Sequence, residues 1–182
     1  MEKKVIHRAG SRGHANHGWL DTYHTFSFAN YWDPERVHFG MLRVLNDDTV
    51  APGRGFGTHA HDNMDIISIP LEGDLEHRDS MGNIAVIRKG EVQVMSAGTG
   101  ITHSEYNKNE DKQVKFLQIW VFPDRQGVEP RYGQVRLDPD KMHNELCQIV
   151  APEGEDVKDG VWIHQRAWFH LTELDKGREL TY

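Results

Sequence analysis

The sequence predicts an all-β barrel or double-sheet jelly roll. Three observations lead there. Apolar residues recur with period two over short runs, glycine and proline break the chain between those runs, and hardly any segment keeps the 3.6-residue period of an amphipathic helix. At 182 residues the chain is long enough to bury a core.

Taken in order, Val5-Ile6-His7 leads into a polar stretch through Gly10, Gly13 and Gly18, which ends in the aromatic cluster Trp19, Tyr23, Phe26, Phe28, Tyr31 and Trp32. Such rings are expected either to cover one end of a barrel or to line the approach to a site, with ordinary packing the favoured reading. Residues 40–46 alternate as a strand, Asp47-Asp48 read as its turn, and Val50-Ala51-Pro52-Gly53 as a loop. Residues 65–70 and 73–78 read as strands joined through Leu71-Glu72-Gly73, with Ser80-Met81-Gly82-Asn83 as the following turn and a strand over 84–87. Residues 92–95 alternate again. The longest apolar run, 116–122, fits a strand buried on both faces. Residues 123–139 read as loop and 152–156 as an exposed acidic turn, and final strands are expected over 161–164 and 167–171.

Two strand segments carry the chemistry. In Thr58-His59-Ala60-His61 and Thr102-His103-Ser104-Glu105, side chains two apart share a face, so His59 pairs with His61 and His103 with Glu105. The two pairs are expected to meet across a barrel and hold one metal ion. Three imidazoles and a carboxylate suit iron(II) first, with nickel, manganese, copper, cobalt and zinc as alternatives, in a site that keeps open positions. A closed thiolate site is excluded, because Cys147 is the only cysteine and lies far along the chain. Any one of the twelve histidines alone reads as surface. Both pairs, however, follow glycine-rich turns (Gly53, Gly55 and Gly57; Gly98 and Gly100), and the repeated pairing favours a metal. His14, His17, His24, His164 and His170 lack a paired partner and are read as non-ligands.

A formal net charge of -7 without a dense basic run argues against direct nucleic-acid binding. No apolar segment reaches the ~20 residues of a membrane span. Met1–Arg8 lacks the apolar core of a signal peptide, so a cytoplasmic protein is expected.

Gly53, five residues, and then His59-x-His61 resemble the first cupin motif; Gly90, five residues, Ser96-Ala97-Gly98 and His103 resemble the second, stretched by two residues. Ser96-Ala97-Gly98-Thr99-Gly100-Ile101-x-His103-Ser104-Glu105-Tyr106-Asn107 is similar to the signature of the pirin family. So are Arg12–Asp21, Thr25–Tyr31, Phe56–His59 and His77–Asn83, and the resemblance covers essentially the whole chain. These passages resemble the bacterial pirin-like proteins described as quercetin 2,3-dioxygenases.

The resemblance implies a cupin jelly roll, with a metal-binding domain over residues 1–125 and, over 126–182, a connecting segment and an incomplete second barrel whose open edges would favour a homodimer. It implies Glu105 as fourth ligand and as the group that takes the substrate proton, and leaves Asp65, the usual neighbourhood of a cupin acidic ligand, with a supporting role. The implied reaction is dioxygenation of a small aromatic substrate such as a flavonol by O2, with carbon monoxide released. Candidate wall residues are Phe26, Phe28, Met41, Ile67 and Trp120. The alternative is a metal-dependent, redox-sensing protein that binds a protein partner without turnover, or an oxygenase of another metabolite.

Overall fold

A computed structural model describes residues 5–157 and 159–181; Met1 to Lys4 of the N-terminal stretch read above lie outside it. Among the described residues the strands are Gly13–Asn16 (β1), Leu20–His24 (β2), Leu42–Val50 (β3), Gly55–His61 (β4), Asp65–Glu72 (β5), Asp74–Asp79 (β6), Ile84–Arg88 (β7), Glu91–Ser96 (β8), Ile101–Asn107 (β9), Val114–Val121 (β10), Arg131–Arg136 (β11), Cys147–Pro152 (β12), Val161–Ile163 (β13) and Phe169–Leu171 (β14). A four-residue helix, Pro139–Met142 (α1), is capped by Asp138, whose side chain accepts from the Asp140 amide. No helix of the described residues is long and apolar enough to cross a membrane.

The expected all-β jelly roll is built from a seven-stranded sheet, ordered β1-β2-β3-β10-β5-β8-β11, and a four-stranded sheet, ordered β4-β9-β6-β7. The C-terminal strands form a third sheet, β13-β12-β14, the partial second barrel. It covers the outer face of the seven-stranded sheet. Ile67, Ile69, Val92, Val94, Ile119 and Val121 from that face are buried in one cluster with Cys147, Ile149, Val150, Val161 and Ile163. This arrangement explains the run Asp65–Pro70, buried at every position: odd residues face the C-terminal sheet and even residues face the barrel interior.

Two readings of the sequence are corrected. Asp47-Asp48 are not a turn but the middle of β3, where Val44, Asn46, Asp48 and Val50 face inward. Each charge has a local answer: Asp47, on the outer side, meets Arg12 at 3.2 Å and Lys115 at 3.7 Å, while the Thr22 hydroxyl donates to Asp48. The loop expected over 123–139 contains β11, which pairs with β8 from Arg131↔Ser96 to Arg136↔Glu91. Its half-buried, polar composition at a sheet edge leaves little alternation to read.

The barrel depends on close approach of β4 and β9. A Cβ at Gly55 would run into the carbonyl oxygen of Glu105 and lie 2.5 Å from the Tyr106 Cα. Gly55→Ala is therefore expected to cost roughly 1–3 kcal/mol, seen as a lower urea midpoint; an unchanged midpoint would show that the two strands separate without penalty.

Candidate metal centre

β4 and β9 are antiparallel neighbours, with His59 directly opposite His103 and His61 opposite Ile101. The two ligand pairs thus meet side by side on one sheet rather than across the barrel. Between Phe56↔Glu105 and His59↔His103 the register shifts, so that Gly57 and Thr58 face the single Ser104. The rings of His59, His61 and His103 sit with centroids 4.4–5.0 Å apart, and one donor atom from each lies within 4.8 Å of the others. That spread is slightly wider than the roughly 4.2 Å spanned by two metal–nitrogen bonds, so a bound ion would draw the rings together.

The tautomers follow from the neighbours. His59 Nδ1 lies 2.8 Å from the Gly57 carbonyl, which can only accept, so Nδ1 carries the proton and Nε2 the lone pair. His77, fully buried on β6, has Nε2 3.0 Å from Asp79 Oδ2 and Nδ1 3.5 Å from His103 Nδ1. With its Nε2 proton given to the carboxylate, His77 accepts from His103 Nδ1–H, which again leaves an Nε2 lone pair. Among the described residues, His61 Nε2 and His103 Nε2 are buried without a hydrogen-bond partner. Burial, followed by the neighbouring imidazoles, lowers the His103 pKa, and the His61 pKa falls to about 4 from burial and His59. Three converging Nε2 lone pairs, two of them buried, are what a cation requires, and the residues fit the metal.

Asp79 anchors this arrangement from behind. The amides of Met81 and Asn83 and the Asn83 side chain donate to it. Burial alone would raise its pKa, but the hydrogen bonds from His77 and Asn83 outweigh that and hold it below the usual range.

Glu105 stands off from the three-histidine group; its carboxylate is within 4.8 Å of donor atoms of His103 and His77 instead. Gln118 Nε2 donates to Oε2 at 2.6 Å, and Ser68 Oγ lies 3.0 Å from Oε1 and 3.2 Å from Gln118 Oε1. The ring of three groups serves two protonation states. With Glu105 ionised, the Ser68 hydroxyl donates to it; with Glu105 protonated, Glu105 donates to Ser68 Oγ and the hydroxyl turns to Gln118 Oε1. Burial pushes the Glu105 pKa up to about 7, with Ser68 pulling it down, the Asp48 charge adding to the rise and Gln118 pulling down.

His59 and Glu105 open onto one cavity of about 450 Å³, within the ordinary range of ligand sites. Trp19, Phe28, Phe56 and Trp120 supply aromatic walls. Of the expected wall residues, Phe28 and Trp120 are there; Phe26 is buried elsewhere, Ile67 belongs to the outer-face core, and Met41 is exposed. Asp65 lies outside the cluster: His164 donates its backbone N–H to Asp65 at 2.7 Å and brings its ring within 3.4 Å. That buried contact ties β5 to the strand end after β13.

Residues 5–121 match the family model described as Pirin. The chain belongs to the pirin family. It is similar to the quercetin 2,3-dioxygenase of Escherichia coli (strain K12), with 55% identity over 161 residues, 88% of this chain and 67% of that protein. Among solved structures it is similar to YhhW from Escherichia coli, at TM-score 0.82 and 48% identity over 87% of this chain and 66% of that one. YhhW in complex with nickel(II) matches at TM-score 0.81 and 47% identity, with the same shares covered. The chain thus spans about two thirds of the length of these relatives.

The sequence reading missed what surrounds the ligands. On the inner face of the seven-stranded sheet, His24, Asn46, Gln118, Ser68, Gln93 and Gln134 are successive cross-strand partners. This row of polar side chains crosses six strands beneath Glu105. Part of the signal was available: Gln118 falls between Phe116 and Trp120, and Ser68 after Ile66, at positions that an alternating run would fill with apolar residues.

For the metal-free protein the Glu105 pKa rises on folding from 4.5 to about 7. The folded state then binds more protons between those values, so stability is greatest below the lower one and falls as pH rises through the upper. The buried histidines with lowered pKa values contribute with the opposite sign, so the Glu105 contribution is read as a difference: between about pH 5 and pH 8 the melting temperature of wild type should fall relative to that of Glu105→Gln; parallel pH profiles would assign the titration elsewhere.

Proposed function

We propose that this pirin chain is a metal-dependent dioxygenase of the quercetinase type, cleaving a flavonol-like substrate with O2. The observation that carries this reading is one aromatic-walled cavity into which a histidine of the metal cluster and a buried carboxyl of near-neutral pKa both open. His59, His61 and His103 would hold the metal through Nε2, and Glu105, which stands off from them beside His103, would have to turn toward the ion to serve as fourth ligand. The donor set favours iron(II), and the nickel complex of YhhW supports nickel as well. When bound, the ion supplies the electron exchange between an aromatic alkoxide and dioxygen that organic groups alone perform slowly.

The protein's own part is proton handling and positioning. Glu105 takes the proton of the substrate hydroxyl, and the Ser68 hydroxyl turns from Glu105 to Gln118 as the carboxyl becomes protonated. Burial raises the Glu105 pKa in the metal-free protein, and a cation on the histidines would favour its ionised, proton-accepting form. Trp19, Phe28, Phe56 and Trp120 hold a flat ring system and exclude water. The buried Nε1–H of Trp120 has no hydrogen-bond partner among the described residues, and its ring lies 4.8 Å from that of His61, so a polar atom of the ligand can use it. His77 and Asp79 fix the His103 tautomer from behind.

Oxygen consumption by protein loaded with iron(II) or nickel(II), with quercetin as substrate, tests the reading. Glu105→Gln is expected to retain most of its metal by elemental analysis yet lose turnover by roughly a hundredfold. His61→Ala is expected to lose the metal itself. Absence of substrate-dependent oxygen uptake with either metal would move the reading to a metal-dependent interaction protein.

A further inference from the structure

Asp48 is buried at 4% exposure in the middle of β3 and lines the same cavity, yet it has no part in the metal cluster. The fold gives it little in return. Among the described residues the Thr22 hydroxyl is its one hydrogen-bond donor, and no lysine or arginine pairs with it, whereas the adjacent Asp47 meets two cations. Burial pushes its pKa up to about 6, with Thr22 drawing it down. A carboxylate kept under these conditions costs stability, and an apolar side chain facing the buried Phe116 would pack there without that cost.

The neighbour on the same wall has the same polarity. His24 Nδ1 lies 2.9 Å from Asn46 Oδ1, so its proton points to the amide oxygen and Nε2 carries a lone pair. Burial lowers the His24 pKa, which keeps the ring neutral. Thr22 gives its only proton to Asp48. The wall formed by β2 and β3 is therefore rich in hydrogen-bond acceptors and asks for donors from the ligand. Hydroxyl groups on an aromatic ring supply them.

We propose that Asp48, oriented by Thr22, accepts a hydrogen bond from a phenolic hydroxyl of the substrate other than the one deprotonated at Glu105, and so selects polyhydroxylated over unsubstituted flavonols. This rests on the quercetinase reading and adds a specificity-determining residue to it. A site whose buried acceptor is left unpaired by an analogue lacking the hydroxyl discriminates strongly against that analogue.

The test compares quercetin with 3-hydroxyflavone, which has no further hydroxyl, on metal-loaded wild type, Asp48→Asn and Thr22→Val. Wild type should favour quercetin in kcat/KM by at least roughly tenfold. Asp48→Asn should remove most of that preference through a higher KM for quercetin, and Thr22→Val should shift it the same way by a smaller factor. Melting temperature and metal content identify a variant that has merely unfolded, in which case the other variant decides. An unchanged preference in folded variants, or an equal loss for both flavonols, overturns the assignment while leaving the dioxygenase reading in place. If wild type turns over neither compound, dissociation constants from quenching of tryptophan fluorescence replace kcat/KM: the expected preference in binding supports Asp48 while the reaction assignment fails, and no preference overturns both.

Discussion

The antiparallel pairing of β4 with β9, interrupted once, is the constraint on which the rest of the site depends. Opposed residues share a face, so His59↔His103 alone brings two ligands together, and the period-two geometry of each strand adds His61 and Glu105 to the same side. The bulge then changes parity: Phe56, three residues before His59, also faces inward, because it opposes Glu105. An uninterrupted ladder would turn Phe56 out and remove one aromatic wall. The glycine at position 55 is part of the same arrangement, since only a missing side chain lets β4 lie against Glu105 and Tyr106 this closely.

The seven-stranded sheet separates stability from chemistry by its two faces. Its outer face packs aliphatic side chains against the C-terminal strands in the largest buried cluster of the described residues. Its inner face gives up much of that burial to the polar row from His24 to Gln134, and to Asp48 beside it. Ile67 and Ser68 are neighbours in sequence and serve opposite tasks for this reason. Apolar burial contributes about 25 cal/mol per Å², and an inner face of hydroxyls and amides forgoes most of it. The outer core therefore has to hold the strands that carry Ser68 and Gln118 in place beneath Glu105 of β9.

This division also explains what could be read in the sequence. His59-x-His61 and His103-x-Glu105 were legible because strand geometry fixes relative direction at two-residue spacing without knowledge of the fold. The side-by-side meeting of the pairs was not, because it depends on which strands are neighbours. Asp47-Asp48 looked like a turn since paired acids rarely occur mid-strand; only Thr22, Arg12 and Lys115, all distant in sequence, make the position tolerable. His77 was passed over for a related reason. Its role requires Asp79 on one side and His103 on the other, and the second of these contacts exists only once β6 has paired with β9.

Charge balance ties these parts together. The cavity wall carries two buried carboxyl groups, Glu105 and Asp48, and neither lysine nor arginine. His61, His103 and His24 are pressed toward the neutral form by burial and by neighbouring imidazoles, so they offset none of that charge. The protein alone can keep both carboxyls in place only by raising their pKa values, and Asp48 contributes to the rise at Glu105. A divalent ion held by the three imidazoles would match two carboxylates in charge and would favour the ionised, proton-accepting form of Glu105. The same field that makes the wall unfavourable for an anion makes it selective for a ligand that brings hydroxyl protons to Asp48 and one acidic oxygen to the metal side.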